Sequence, residues 1–444
     1  MKIFFVSLGC DKNLVDSEEM LALLEKRGYS FTDDETQADV IIINTCCFIN
    51  DAKEESVQTI LEMSEYKKEN CKALIVTGCM AQRYKQEILD EVPEVDMVLG
   101  TTAYDKIVEA IDEALAGSRK VETESLNTLP KTGAGRVLTT GGHYAYLKIA
   151  EGCNKCCTYC IIPKVRGRYR SVPMEELIAQ AKDLADKGVK ELILVAQETT
   201  VYGVDLYGKK SLHLLVRELC KISGLRWIRL LYCYPEEIYD ELIETVRDEE
   251  KVCHYLDLPI QHASDAVLKR MGRRTTQADL KEIIAKLREE IPDIVLRTTL
   301  IAGFPGETQE QHEEMMAFID ELEFDRLGVF TYSQEEDTPA AVMPDQIDEE
   351  TKLTWREELM ELQQEIAFDK AQDREGSIVT AMVEGKVADE NAYVGRTYAD
   401  APGIDGYMFI NTGELLMSGD FVKAHVTGSL EYDLIGEIAD EYTE

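Results

Sequence analysis

Cys153, Cys157 and Cys160 crowd three thiols onto one short loop with the spacing C-x3-C-x2-C. This is the tightest constraint in the chain, because soft sulfur ligands at such spacing select an iron–sulfur cluster, zinc or copper over hard cations. Three thiolates suit an iron–sulfur cube, which takes four ligands and here leaves one iron open. Zinc is the rival. A structural zinc site closes with four ligands, commonly from two separated C-x2-C pairs. Only Cys156 could complete such a site locally, and it adjoins Cys157, so the two side chains converge poorly on one ion. The iron–sulfur reading is preferred.

The loop follows an apolar strand, and the chain around it alternates strand and helix. Residues 1–117 read as strands at Lys2–Val6, Val40–Ile43, Ala73–Val76 and Met97–Leu99, with helices between them. The Leu14–Arg27 helix stops at Gly28, and others run from Asp51 to Tyr66, from Ala81, and from Tyr104 to Leu115. That order predicts an open parallel α/β sheet. Cys10, Cys46 and Cys79 each stand just past one of these strands, where ligands bind in open α/β sheets. The three should converge and hold a second cluster, with Gly9 and Gly78 letting the backbone turn tightly. Three separate buried thiols are the plain alternative, but they would not explain the shared position. Cys47 and Cys71 are read as structural, and Cys220, Cys233 and Cys253 as core.

Residues 118–141 lack a clear period and read as a linker. Across 142–372 the alternation resumes, with strands at Tyr144–Ile149, Glu191–Val195, Trp227–Leu231, Tyr255–Leu258, Val295–Leu300 and Leu327–Thr331. This predicts a full or partial (β/α) barrel with its chemistry at the carboxyl ends of the strands. Glu349–Asp373 is a charged connector helix. From 373 to 444 short strands with turns predict a small all-β barrel.

Several strand-end residues invite a plain reading. Ser264 is a candidate N-cap. A lone His262 is more often structural, and Gly303-Phe304-Pro305-Gly306-Glu307 makes a turn into a helix. Arg297, inside an apolar strand, needs a carboxylate partner, bound or built in. Arg166, Gly167, Arg168 and Arg170 could meet a carboxylate substrate or stay solvated.

The formal charge of −37 disfavours extensive contact with a phosphate backbone and favours a basic partner. It could equally serve only solubility. Over 376–444 three basic residues (Lys386, Arg396, Lys423) face thirteen acidic ones, a net −10, so this barrel lacks the basic face of an RNA binder. No apolar run approaches the ~20 residues of a membrane span. Twelve cysteines without a signal segment argue for metal binding in a soluble, cytoplasmic protein.

Taken together, the chain resembles the radical S-adenosylmethionine (SAM) methylthiotransferases over its whole length. Both triads and the three-part order carry the likeness. So do the runs Ser7-Leu8-Gly9-Cys10-Asp11-Lys12-Asn13-Leu14-Val15-Asp16-Ser17, Leu256-Asp257-Leu258-Pro259-Ile260-Gln261-His262-Ala263-Ser264, Gly303-Phe304-Pro305-Gly306-Glu307-Thr308 and Asp400-Ala401-Pro402-Gly403-Ile404-Asp405-Gly406. It is most similar to the RimO type. Departures are Asp11 where Pro is usual, Cys47 where Gly is usual, and Val172 where Arg usually precedes Pro173.

The resemblance implies an N-terminal methylthiotransferase domain, a partial radical-SAM barrel and a C-terminal TRAM barrel. It implies two 4Fe–4S clusters, with SAM on the cluster of Cys153, Cys157 and Cys160. Tyr159, Gln197, Glu198 and Arg297 are then the candidate SAM contacts, with Glu198 at the amino group; helix capping is the plain reading of Glu198. The implied reaction is methylthiolation of the β-carbon of an aspartate in small-subunit ribosomal protein twelve. One SAM methylates sulfur at the N-terminal cluster. A second is reduced and cleaved to a radical that takes a hydrogen from the unactivated carbon, chemistry that side chains alone do not supply. An electron donor such as flavodoxin or ferredoxin is implied. A tRNA methylthiotransferase and a non-catalytic iron–sulfur or zinc adaptor share the cysteines. The acidic terminal barrel argues against the first, and an adaptor has no need of a SAM-shaped barrel.

Overall fold

The computed structural model describes residues 1–131, 133 and 135–443. Its first sheet contains β1 (Lys2–Ser7), β2 (Ser30–Phe31), β3 (Val40–Thr45), β4 (Ala73–Gly78), β5 (Met97–Leu99) and β6 (Lys120–Glu122), all parallel, in the order β2-β1-β3-β4-β5-β6. β3 and β4 are buried at every position, which is why they read as unbroken β-branched runs rather than as alternation. The strand order reverses between β1 and β3, so a crevice opens at their carboxyl ends. The helix Asp11–Arg27 starts with Cys10 as its N-cap residue and stops at Gly28, whose φ of 94° closes the last turn.

The stretch read as a linker is partly built in. Lys120–Glu122 extends the first sheet, and buried Arg136 pairs with buried Glu18. Neither feature has a period of its own; pairing to β5 and burial against the first helix order them.

The second sheet has β7 (Tyr144–Lys148), β10 (Glu191–Val195), β11 (Trp227–Leu230), β12 (Val252–Asp257), β13 (Val295–Ala302) and β14 (Arg326–Thr331), parallel, in the order β7-β10-β11-β12-β13-β14. Between β7 and β10 the chain forms β8 (Ala150–Glu151) and β9 (Arg170–Ser171), a two-residue antiparallel pair. β7 and β14 do not pair, so the barrel is partial. Helices cover its outer face and close one large apolar core. The helices after Thr276 and Thr308 begin with capping boxes. Ser264 takes the N-cap position of its helix, as expected, with extended backbone but no side-chain cap bond.

Five strands close the terminal barrel in the order β15-β16-β17-β19-β18: β15 (Ile378–Lys386), β16 (Ala392–Thr397), β17 (Met408–Asn411), β18 (Phe421–Leu430) and β19 (Asp433–Thr443). β19 is paired with β17 from Leu434 to Glu437 and is carried on to Thr443 by its pairing with β18, despite its acidic sequence.

This barrel packs onto the inner face of the second sheet, where Met382, Ala399 and Ala401 meet Ile193, Val195, Trp227 and Tyr255. Buried ions join the same surface. Glu191 accepts from Arg229 and Arg396 at 2.7 Å each, and Asp400 pairs with Arg326 at 2.5 Å. Asp405 takes Arg297 at 3.4 Å and the Tyr255 hydroxyl at 2.7 Å. Asp400 and Asp405 therefore hold the barrel in place and do not contribute a free acidic face. Among the described residues no helix is long and apolar enough to cross a membrane.

Candidate metal and cofactor site

Cys10 leaves β1, Cys46 leaves β3 and Cys79 leaves β4, so three successive carboxyl ends of one sheet present the N-terminal triad. Glycine is required beside them. A Cβ on Gly9 (φ +87°) would lie 2.7 Å from the Cβ of Cys46, and one on Gly78 (φ +93°) would lie 2.5 Å from the carbonyl oxygen of Thr45. The loops are locked by Asn13, whose amide donates to the carbonyls of Leu8 and Thr45 at 3.0 Å each. Ser56 closes the next turn, accepting from Cys46 N–H at 3.0 Å and donating to its carbonyl at 2.9 Å. Burial raises the thiol pKa of Cys46 and of Cys79 above the ordinary value.

The second triad sits on the loop that β8 and β9 bracket. Gly152 (φ +79°) passes so close to the other arm that a Cβ would lie 2.5 Å from the Gly167 carbonyl, and Cys153 N–H donates to that carbonyl at 3.1 Å. Thr158 N–H reaches Met271 O at 2.9 Å and fixes the loop's far side. Cys153 and Cys157 are buried and Cys160 is half-buried. Burial pushes the Cys153 thiol up to about 11 and raises that of Cys160. Such thiols ionise only with a compensating cation, the role a metal cluster fills while protons are released.

Among the described residues no three His, Cys, Asp or Glu side chains converge on one metal ion. Thiolates sharing one tetrahedral zinc at ~2.3 Å must sit about 3.8 Å apart. A cube instead carries each thiolate on a different iron and takes soft sulfur donors, which is the donor set that three unpaired cysteines per triad offer. Cys47 is fully buried beside Cys46, with its thiol pushed up to about 12, and Cys156 is exposed at φ +55°.

Of the expected SAM contacts, Glu198 keeps the clearest vacancy in its bonding. Its Oε1 accepts from Thr200 N–H at 3.0 Å, and its buried Oε2 has no hydrogen-bond partner. Burial raises its carboxyl to about 7, against Thr200 and Lys155, which lower it. An acceptor in that state fits a ligand ammonium. Gln197 is spent on the loop itself, accepting from Gly152 N–H at 2.8 Å and donating to Glu151 at 2.9 Å. Tyr159 lies edge-on to Phe304 with ring centroids 6.4 Å apart, beside the thiols of Cys157 and Cys160. Arg297 is spoken for by Asp257 at 2.9 Å and by Asp405, so its required carboxylates are built in.

Arg273 escaped the sequence reading. It is buried over the Tyr234 ring at 4.4 Å, with Nε and one terminal nitrogen unpartnered. Both groups are donors that a ligand carboxylate could take. His262 is structural, bonded to Glu307 at 3.1 Å and to Ser264 N–H at 2.9 Å, while Glu307 also caps the Gly303–Gly306 turn through Phe304 N–H.

The two triads meet through charged groups. Arg166 was expected to be solvated or at a substrate, yet its side chain is 1% exposed and reaches into the N-terminal triad. Its Nε lies 3.3 Å from Cys79 Sγ, and one terminal nitrogen bonds Asp16 at 2.7 Å and Glu151 at 3.1 Å. Lys148 joins the same two carboxylates. Farther along the crevice Lys12 stands 3.2 Å over the Tyr232 ring, whose hydroxyl donates to Asp11 at 3.1 Å, which gives the unusual Asp11 a partner. The helical spacing of Asn13, Asp16 and Ser17 was the available signal for a buried polar stripe.

Three family models match in this order: Uncharacterized protein family UPF0004 over 2–100, the Radical SAM superfamily over 147–319 and the TRAM domain over 376–439. The ribosomal protein uS12 methylthiotransferase RimO of Lachnoclostridium phytofermentans is 62% identical over 98% of this chain and 99% of its own length. That of Acetivibrio thermocellus is 52% identical over 99% of each. In fold the chain is similar to the radical SAM methyltransferase TsrM of Kitasatospora setae, solved with cobalamin and a 4Fe–4S cluster, at a TM-score of 0.57, 14% identity and 77% coverage of each chain. The cobalamin-dependent radical enzyme OxsB gives 0.52 at 15% identity, over 82% of this chain and 56% of that one. With three matched models in one order and full-length relatives above half identity, the chain belongs to the radical SAM methylthiotransferase family of the RimO type.

Proposed function

We propose that this chain transfers a methylthio group to the β-carbon of an aspartate in ribosomal protein uS12. In this reading Cys153, Cys157 and Cys160 hold one 4Fe–4S cluster with SAM, and Cys10, Cys46 and Cys79 hold a second. When bound, these groups supply a carbon-centred radical and the methylated sulfur, chemistry outside the range of side chains. The residues orient and shield them. Glu198 takes the SAM ammonium, Arg273 stands ready for its carboxylate, and Tyr159 and Tyr234 wall the loop from water. A small electron carrier such as flavodoxin or ferredoxin supplies the electron, and the work is cytoplasmic.

One observation carries the reading. Two cysteine triads emerge from the carboxyl ends of two parallel sheets, and one buried arginine spans from Cys79 of the first to Glu151, two residues before Cys153 of the second, which suits a transfer between two centres.

The tRNA alternative has one feature in its favour. A cleft of about 1170 Å³ between the second sheet and the terminal barrel is lined by seven Lys and Arg side chains, including Arg226, Arg288, Arg374 and Lys423. Four acids share it, and Lys370 is already paired with Asp325 at 3.1 Å. The cleft also borders the amino ends of the strands, opposite the cysteine loop, so uS12 is preferred.

The test is mass analysis of uS12 and of tRNA from cells with and without the chain, alongside iron content. A methylthio increment on uS12 and about eight irons per chain are expected. An increment on tRNA alone would move the enzyme to the other branch.

A further inference from the structure

Arg166 belongs to the second sheet's cysteine loop by sequence and to the first sheet's triad by position. It ends the short helix Ile162–Val165 that follows Cys160, and the next residue, Gly167, accepts the Cys153 N–H bond. Its guanidinium nevertheless lies in the crevice of the first sheet. Nε points at Cys79 Sγ at 3.3 Å, and one terminal nitrogen bonds Asn13 Oδ1. Asn13 in turn holds the backbone just before Cys10, through Leu8, and just before Cys46, through Thr45. One planar cation thus touches one cysteine directly and the other two loops through a single amide.

Its charge is balanced on the far side by Asp16 and Glu151, both buried, and Glu151 leads directly into Gly152 and Cys153. A lysine could keep the charge but not this fork, because an ammonium lacks the planar donors.

We infer that Arg166 is a positioning residue that sets the reduction potential of the N-terminal centre and ties it to the SAM loop. The inference rests on the reading that Cys10, Cys46 and Cys79 hold a cluster. The physical ground is that hydrogen bonds to the sulfurs and net local charge set iron–sulfur potentials. A cation donating to a ligand sulfur favours the more negative, reduced form and raises the potential. Asp16 opposes it.

The test uses the full chain with Cys153, Cys157 and Cys160 replaced by Ala, so that only the N-terminal centre gives a signal. Iron content and an EPR-monitored redox titration are read for this background and with Arg166→Gln, Arg166→Lys or Asp16→Asn added. The background should hold about four irons. Arg166→Gln should shift the midpoint to more negative potential, Arg166→Lys should recover part of the shift, and Asp16→Asn should move it the opposite way. General loosening of the fold would not produce shifts of opposite sign. Retained iron with an unmoved midpoint in Arg166→Gln overturns the inference. If Arg166→Gln loses its iron, an unmoved midpoint in Asp16→Asn overturns it instead. A background without iron refutes the cluster reading itself, and the inference falls with it.

Discussion

Replacing Gly78 by Ala should empty the N-terminal centre and leave the other intact. Gly78 has φ 93° and ψ −158°, a region essentially closed to residues with a Cβ, costing about 1–3 kcal/mol. The new methyl would also lie 2.5 Å from Thr45 O and 2.8 Å from Thr45 N, and would overlap Asn44 Oδ1. Backbone cannot swing aside as a side-chain end can, so relieving the overlap costs about another 1–3 kcal/mol. The sum, about 2–6 kcal/mol, corresponds to roughly one and a half to four decades in the equilibrium that keeps the three loops together. The strain is directional, because Thr45 precedes Cys46 and Gly78 precedes Cys79, so relief pushes two thiols apart. Gly28→Ala is the control. Its φ is 94°, but nothing lies within 4 Å of the added methyl, so it carries the conformational cost without the overlap. After anaerobic reconstitution Gly78→Ala should hold about four irons, cleave SAM without transferring a methylthio group, and give only one cluster signal by EPR. Gly28→Ala should keep both clusters. Full iron and normal uS12 modification in Gly78→Ala would refute the argument that the triad depends on this turn.

Cys47→Ala and Cys156→Ala should each retain both clusters by iron analysis; loss of one would show that the wrong member of an adjacent pair was assigned. Glu198 is raised to about 7 by burial, so it favours folding below its ordinary value of 4.5, and that contribution is lost as pH rises through 7. Its ionised form is the one that accepts an ammonium. SAM affinity, read by equilibrium binding, should therefore increase through pH 7 and should be weaker and lack this step in Glu198→Gln. In the terminal barrel, Glu431→Lys changes an exposed charge and should weaken salt-sensitive binding of uS12 without loss of thermal stability. Asp405→Lys places a cation against Arg297 and should lower the unfolding temperature sharply, since breaking a buried pair costs about 3–5 kcal/mol. Equal effects of the two on stability would contradict their assigned burial.

The sequence by itself determined the three-part architecture and where the thiols stand. Runs such as Val40–Ile43 and Ala73–Val76 can only be buried strands, and a cysteine just past each of three strands is delivered to one edge by the parallel connection rule. The spacing of Cys153, Cys157 and Cys160 needs no tertiary information at all. What the sequence could not determine is which charged groups are buried, because a lone Arg, Asp or Lys reads as solvated until another domain covers it. Arg166 reads from sequence as solvated or at a carboxylate substrate, and Asp400 and Asp405 read only as part of the terminal barrel's acidic excess. Tertiary packing instead buries all three and pairs each across a domain boundary: Arg166 with Asp16, Asp400 with Arg326, Asp405 with Arg297. Periodicity reports the face a residue shows to its own element. A partner more than seventy positions away is fixed only when two sheets close on each other, because leaving such a charge unpaired after burial costs more than the fold can spare.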